Sequence, residues 1–334
     1  MNTELSRKID LFVKNREKLG KAFKLDYGLN CLASGLVLTA ANAEVDIDRM
    51  KDLRDILAGK AGVFSSFRAT SEMAVLTKMY LSSDPETYIE NVMEAYNKIK
   101  GKRILDTASM VLSAISVIDL GKMNQIDQIA AKTEQILRLM SKKHPFLTDQ
   151  DDLTFAVLLA MTDKDVDTII NEMEECYTYL KKTVKVKAGA NAIQALCEII
   201  TLSDGPLLEK CDRAVELFNT FAAHGSKYGN YDEFSSLGAL FGLDIDKDEL
   251  VGMIIETADT LKNKKGFGGW DISSKTRLMF AAMLVAEVLS GSDSHLYSYA
   301  VTNALISTVI SAIISMEVAV MVSTMVAVNS VNSY

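Results

Sequence analysis

HPFLTDQDDLTFAVLLAMTDKDVDTIINEMEECYTYLKK, residues 144 to 182, decides the fold, because it holds two helices of different character in one short stretch. Leu153 to Met161 is apolar on nearly every side, which suits a short helix buried all round. Ahead of it, Thr148 with Asp151 three residues on resembles a capping box, with Asp in place of the usual Glu. Thr162-Asp163 then breaks the run. Val166, Ile169, Ile170, Met173, Cys176, Tyr177 and Leu180 follow at three- and four-residue steps, one apolar stripe on a second helix with Asp163 as its N-cap. The outward residues pass from Asp167, Glu172, Glu174 and Glu175 to Lys181 and Lys182, the order a helix dipole favours. The stretch is a helical hairpin.

The rest of the chain repeats this unit with variations. Residues 4–23 form an amphipathic leader through Leu5, Ile9, Phe12, Val13, Leu19 and Phe23, expected to cap the array. Hairpins then pair 27–40 with 46–57, a helix ending at Leu81 with one restarted at Asp84-Pro85, and two halves of 102–142 that turn near Asp119 to Gly121. Beyond the opening stretch come 188–202 with 207–223, 228–265 turning at Asp244 to Asp248, and 272–289 followed by an apolar segment, 295–329. The turn acids Asp84, Asp119, Asp163, Asp204 and Asp246 recur at 35, 44, 41 and 42 residues, the spacing of a two-helix repeat. The expectation is an all-α chain forming one domain over 1–334, an array of about seven α-hairpins. It is either an open α-solenoid or a closed α/α toroid, since closure depends on a few degrees of rotation per repeat.

Composition agrees. About half the residues are hydrophobic, few are aromatic, and the three prolines stand beside helix starts with no linker between them. A net charge of −8 argues against nucleic acid as partner. The basic stretches Lys181 to Lys187 and Lys262 to Lys265 read as cations complementing helix C-termini. Cys31, Cys176, Cys197 and Cys211 lie far apart without a C-x-x-C pair, so neither a disulfide scaffold nor structural zinc is expected. Free thiols and a charged N-terminus lacking a signal peptide indicate the cytoplasm. Ala304 to Val326 is long enough to span a membrane and carries one charge, Glu317. The polar ladder Asn303, Ser307, Ser311 and Ser315, with no Lys or Arg after Arg277, favours a buried helix, and the span stays as the alternative.

Several motifs carry a resemblance: GVFSSFR (62–68), HPFLTDQDD (144–152), DKDVD (163–167), KYGNY (227–231), and GFGGW followed by RLMFAAMLVA (266–286). Together they resemble a family of bacterial proteins, mainly Gram-positive, known only as a domain of unknown function. The resemblance covers nearly the whole chain and implies a complete single-family protein with no fused enzyme domain. It brings no ligand and no catalytic residue.

No P-loop, G-x-S-x-G or H-E-x-x-H motif is present, and no cofactor is expected. Gly266-Phe267-Gly268-Gly269 follows a helix rather than a strand, which excludes a dinucleotide fingerprint and points to a C-cap and turn. Asp149-Gln150-Asp151-Asp152 resembles the D-x-D-D acid motif of class II terpene cyclases, themselves α/α barrels, but solvated helix-start carboxylates account for the same residues. His144 with these acids could in principle hold a metal, yet three scattered histidines make a weak ligand set, and none is assigned.

Two functions follow. One is a cytosolic scaffold holding a protein or peptide partner on a groove or rim. The other is an α/α-toroid enzyme acting on a small or isoprenoid-like substrate through the acids of the 144–152 loop. Geometry points to where a site would lie. Turns inside hairpins fall at one end of the helices and hold ordinary stop signals, while loops between hairpins fall at the other and collect Arg68, His144, Asp149, Asp152, Tyr231, Phe267 and Trp270. That second rim is the expected binding face, and it requires Arg68, His144 and Trp270 to share one end of the array.

Overall fold

A computed structural model of the chain describes residues 3–23, 28–62, 65–68, 71–101, 107–145, 147–148, 152–202 and 205–290. The apolar segment 295–329 and Asp149 lie outside the described residues, as does Asp151 of the expected capping box. The described residues are helical, with no strand among them.

Helices α1 (Thr3–Ala22), α2 (Gly28–Ala40), α3 (Ile47–Lys60), α4 (Glu72–Leu81), α5 (Pro85–Lys100), α6 (Ala108–Asp119) and α7 (Ile126–Lys143) make the first half. In the second half come α8 (Asp152–Ala160), α9 (Val166–Thr178) running into a π-helix (Tyr179–Val184), α10 (Ala190–Leu202) and α11 (Leu207–Ala223). A 3-10 helix (Asp232–Leu240), α12 (Lys247–Lys262) and α13 (Ser274–Ser290) complete it.

Two concentric layers result. The inner layer runs α2, α4, α6, α8, α10, the 3-10 helix and α13, each packed on the next, and α13 packs back on α2. The outer layer runs α1, α3, α5, α7, α9, α11 and α12, and α12 packs back on α1. The array is therefore a closed toroid. The inner members α2, α6, α8 and α13 are buried on almost every side, whereas α7, α9 and α11 bury one stripe, as their sequences demand.

The closing contacts join the two ends of the chain. Phe12 of α1 is fully buried, with Phe267 edge-on at 5.1 Å and Phe280 of α13 at 5.8 Å. Lys8 Nζ reaches Glu287 Oε1 at 3.3 Å, and Lys264 Nζ lies 3.7 Å from Asp10 Oδ1. Helix α1 thus has neighbours on both sides, where a cap on an open array would have one.

Caps follow simple chemistry with two departures from the sequence reading. Asp46, Asp84 and Asp246 accept from the first backbone N–H groups of α3, α5 and α12. Before α9 the cap is Asp165 rather than Asp163: its carboxylate accepts from Thr168 N at 2.8 Å and from the Thr168 hydroxyl at 2.8 Å. The Thr148 hydroxyl of the expected capping box turns back to donate to His144 O at 3.2 Å. The sixth hairpin opens on a 3-10 helix; Gly238 there lies so close to Ile199 that a Cβ would come within 2.3 Å of its Cγ2.

Candidate functional site

Because every inner member is entered from an outer helix, all inner N-termini open on one rim and all inner C-termini on the other. The C-terminal rim is closed chemically. Lys8 donates to Thr39 O at 2.9 Å, Lys132 to Thr162 O at 2.7 Å, Lys164 to Thr201 O at 2.8 Å and Lys210 to Ile200 O at 2.9 Å. Outer-layer and turn lysines therefore satisfy carbonyls that helix ends would leave bare. On the same rim Lys78 Nζ pairs with Asp119 Oδ2 at 2.6 Å, and the Tyr88 hydroxyl donates to Asp119 Oδ1 at 2.9 Å. A carboxylate at a helix C-terminus opposes the dipole, and Lys78 offsets it.

Arg68, His144 and Trp270 all lie in loops that lead from an outer helix to an inner one, and so share the N-terminal rim. They occupy different sectors. Arg68 ends a 3-10 turn, Ser66–Arg68, before α4, and is half-buried.

His144 and Asp152 belong to a second sector. His144 Nε2 sits 2.8 Å from Glu174 Oε1 without hydrogen-bond alignment, and its ring lies 4.7 Å from that of Tyr177. Burial, with Cys197 and Glu174 nearby, raises the Tyr177 phenol above its ordinary value. Asp152 is buried and accepts from Gln194 Nε2 at 3.0 Å. The cleft between Met140, His144, Met173, Glu174, Gln194 and Cys197 has room for about one water molecule. Behind it, Cys176 is hydrogen bonded to both Cys197 and Cys211, and burial among sulfur neighbours pushes these thiols upward. All four cysteines are free and buried.

The third sector spans residues 185–189, 224–231 and 263–273, three successive loops. Gly189 N donates to Asn230 O at 2.9 Å, and Asn230 Oδ1 accepts from Lys275 Nζ at 3.3 Å, so the loops are tied together. The aromatics of the rim loops divide. Phe67, Tyr228 and Phe267 are buried, Phe67 edge-on to Tyr96 at 5.0 Å and Phe267 against Phe12. Phe267 is a core residue with no surface to offer, because the closing contact claims its ring. Tyr231 and Trp270 are exposed, at 62% and 105%.

The Trp270 loop is pinned on both sides. Arg277 Nη1 donates to Phe267 O at 2.9 Å, Gly266 adopts φ +85° where a Cβ would strike the Arg16 guanidinium, and Asp271 Oδ2 accepts from Gly268 N at 3.2 Å. The indole is held out in solvent by an ordered loop. Which ring of GFGGW points inward had no sequence signal, since loops lack the periodicity that assigns faces.

Fold and rim define a closed ring of helical hairpins with a loop-built face. The chain belongs to the family described as Protein of unknown function (DUF4003), whose model matches residues 15–319. No curated protein and no solved structure matches it.

Proposed function

We propose that the chain is a binding module of the bacterial cytosol, mainly of Gram-positive organisms, that holds a protein or peptide partner on its N-terminal rim. The bacterial setting rests on the resemblance in its motifs, and the cytosolic one on four free thiols. No helix among the described residues is long and apolar enough to cross a membrane. The single observation that carries the reading is Trp270. A wholly exposed indole on a pinned loop forfeits on the order of 2–3 kcal/mol of burial, and such a side chain is the commonest anchor of protein interfaces.

The test is recovery of partners from the native host with a photo-crosslinking residue at position 270 or 231, against the same residue at Leu81 on the opposite rim. Trp270→Ala and Tyr231→Ala should abolish recovery of whatever the rim crosslinks. Equal recovery from both rims, or no effect of the substitutions, overturns the reading.

A second reading is favoured by ring closure, which brings buried carboxylates such as Asp152 onto inner elements as in an α/α-toroid enzyme. The cleft beside Asp152 and His144 leaves little space for a substrate. Consumption of an isoprenoid diphosphate by the full chain, lost in Asp152→Asn, would favour this reading over the first.

A further inference from the structure

Charge is distributed on this ring in a way the net value hides. Residues 181–189, 224–231 and 262–275 carry nine lysines against one aspartate, Asp271, in a chain whose net charge is −8. The sector is thus +8 and the remainder −16. The next two residues, Asp232 and Glu233, begin the 3-10 helix, and Glu233 is buried beside Thr276. Among the described residues Lys264 makes the only ion pair of the nine, with Asp10 at 3.7 Å. Lys185, Lys187, Lys227 and Lys265 are exposed.

Helix dipoles explain part of this. Lys181, Lys182 and Lys262 stand at C-terminal ends of outer helices, where cations are favoured. Lys275 stands in the first turn of α13, where a cation is disfavoured, and Lys185 and Lys187 have left their helix after the left-handed turn at Lys185 (φ +58°). The N-termini of α10, the 3-10 helix and α13 open on this sector and add their own positive ends. A field this one-sided, with few internal counter-charges, is arranged for an anion from outside.

The aromatics sit within it. Lys275 Nζ lies 5.9 Å from the Tyr231 ring centroid, and the Tyr231 ring covers Gly189, two residues from Lys187. Trp270 lies five residues before Lys275 in the adjoining loop.

We infer that the Tyr231–Trp270 sector binds an acidic segment of a partner protein, with carboxylates on the lysines and apolar side chains on the two exposed rings. This rests on the rim being the binding face. A short segment fits better than a longer polyanion, because Glu256 and Asp259 in the last two turns of α12 border the sector and repel over a Debye length of about 8 Å. Those loops also contain no arginine, the side chain best shaped for bidentate phosphate binding.

The experiment is fluorescence anisotropy of the full chain with a labelled peptide of alternating Glu, Asp and Leu. Comparators are the same pattern with Lys for the acids, a Ser/Leu peptide, a single-stranded oligonucleotide, and phosphatidylserine vesicles. The acidic peptide should bind preferentially, weaken about tenfold or more in Trp270→Ala, and weaken similarly in the double variant Lys185→Ser, Lys187→Ser. Raising salt should weaken it further. All these residues are exposed, so melting temperatures should stay with the parent and exclude misfolding as a cause. Absence of acidic-peptide binding, equal binding of the Lys peptide, or tighter binding of oligonucleotide or vesicle overturns the inference. Trp270-dependent binding of the Ser/Leu peptide, indifferent to the lysines, overturns the acidic class and leaves the rim standing. Acidic-peptide binding indifferent to Trp270, Tyr231 and Lys187 overturns both.

Discussion

Replacing Phe12 by alanine tests ring closure directly. The side chain is fully buried, edge-on to Phe267 at 5.1 Å and tilted against Phe280 at 5.8 Å. Its floor is the α2 backbone at Gly35, where an added Cβ would lie 3.4 Å from Phe12 Cε2, so helix backbone rather than a mobile side chain borders the void. Little can collapse into it. Truncation should therefore cost about 3–5 kcal/mol, the edge-to-face pair contributing roughly 0.5–1.5 of that. Phe67→Ala, removing a buried ring edge-on to Tyr96 far from the chain ends, is the matched control. In a closed ring each layer element has two neighbours, so both variants should lower the urea midpoint of the whole molecule by similar amounts. Circular dichroism gives the midpoint, and amide exchange gives its distribution. Loss of protection confined to α1, with the global unfolding free energy lowered by under about 1 kcal/mol, would show that α1 is a dispensable end and refute closure.

The sole tryptophan reports its surroundings: Trp270 fluorescence should resemble free indole in water and be quenched by iodide more than by caesium, a gap that added salt closes. Trp270→Ala should change stability by less than about 0.5 kcal/mol, while Phe267→Ala, two residues from Gly269, should cost about 3–5 kcal/mol in the same denaturant series. None of the four cysteines should react with an aromatic disulfide reagent until the chain unfolds, as hydrogen bonding among Cys176, Cys197 and Cys211, together with burial, keeps these thiols protonated; a rapidly modified native thiol would contradict this. Lys78→Met alone should destabilise by about 1–3 kcal/mol by leaving Asp119 to the Tyr88 hydroxyl without its cation, and Lys78→Met with Asp119→Leu should recover most of it in thermal melts. The Asp165 carboxyl is held below its ordinary value by hydrogen bonds from Thr168. Its stabilisation is present above the ordinary aspartate range and lost as pH falls through the lowered value. Asp165→Ala should therefore matter at neutral pH and cease to matter in acid, whereas Asp163→Ala should have little effect at either.

Periodicity made the hairpins legible. The stripe from Val166 to Leu180 and the all-round apolar run after Asp152 place two helices with different burial, and Asp84-Pro85 marks a start that the structure keeps. Boundaries failed where chemistry was degenerate. Asp163, Asp165 and Asp167 are equivalent as letters, and only the position of Thr168 N relative to Asp165 selects the cap. The 3-10 helix in place of the sixth hairpin's first helix was not legible, and the close approach of Gly238 to Ile199 of another hairpin has no local pattern. Closure was illegible because its determinants, Phe12 and Phe267, are 255 residues apart and carry no local pattern. The basic stretches read as helix-end cations, which holds for Lys181, Lys182 and Lys262 but not for Lys185 and Lys187, which lie past the end of their helix. What that hid was their sum, which exists only once three loops adjoin.

Joining α13 to α1 and α2 fixes how many units the ring has. An open stack accepts another hairpin at the cost of two new interfaces, since nothing downstream must realign. The seven units among the described residues share one full turn, roughly 51° each, and an eighth in the ring would force every interface toward roughly 45° at once. Duplicating one hairpin should thus split the ring or leave the extra unit unpacked, whereas residues inserted into the rim loops, which set no angle, should be absorbed. The architecture holds its size constant and leaves its face free to vary.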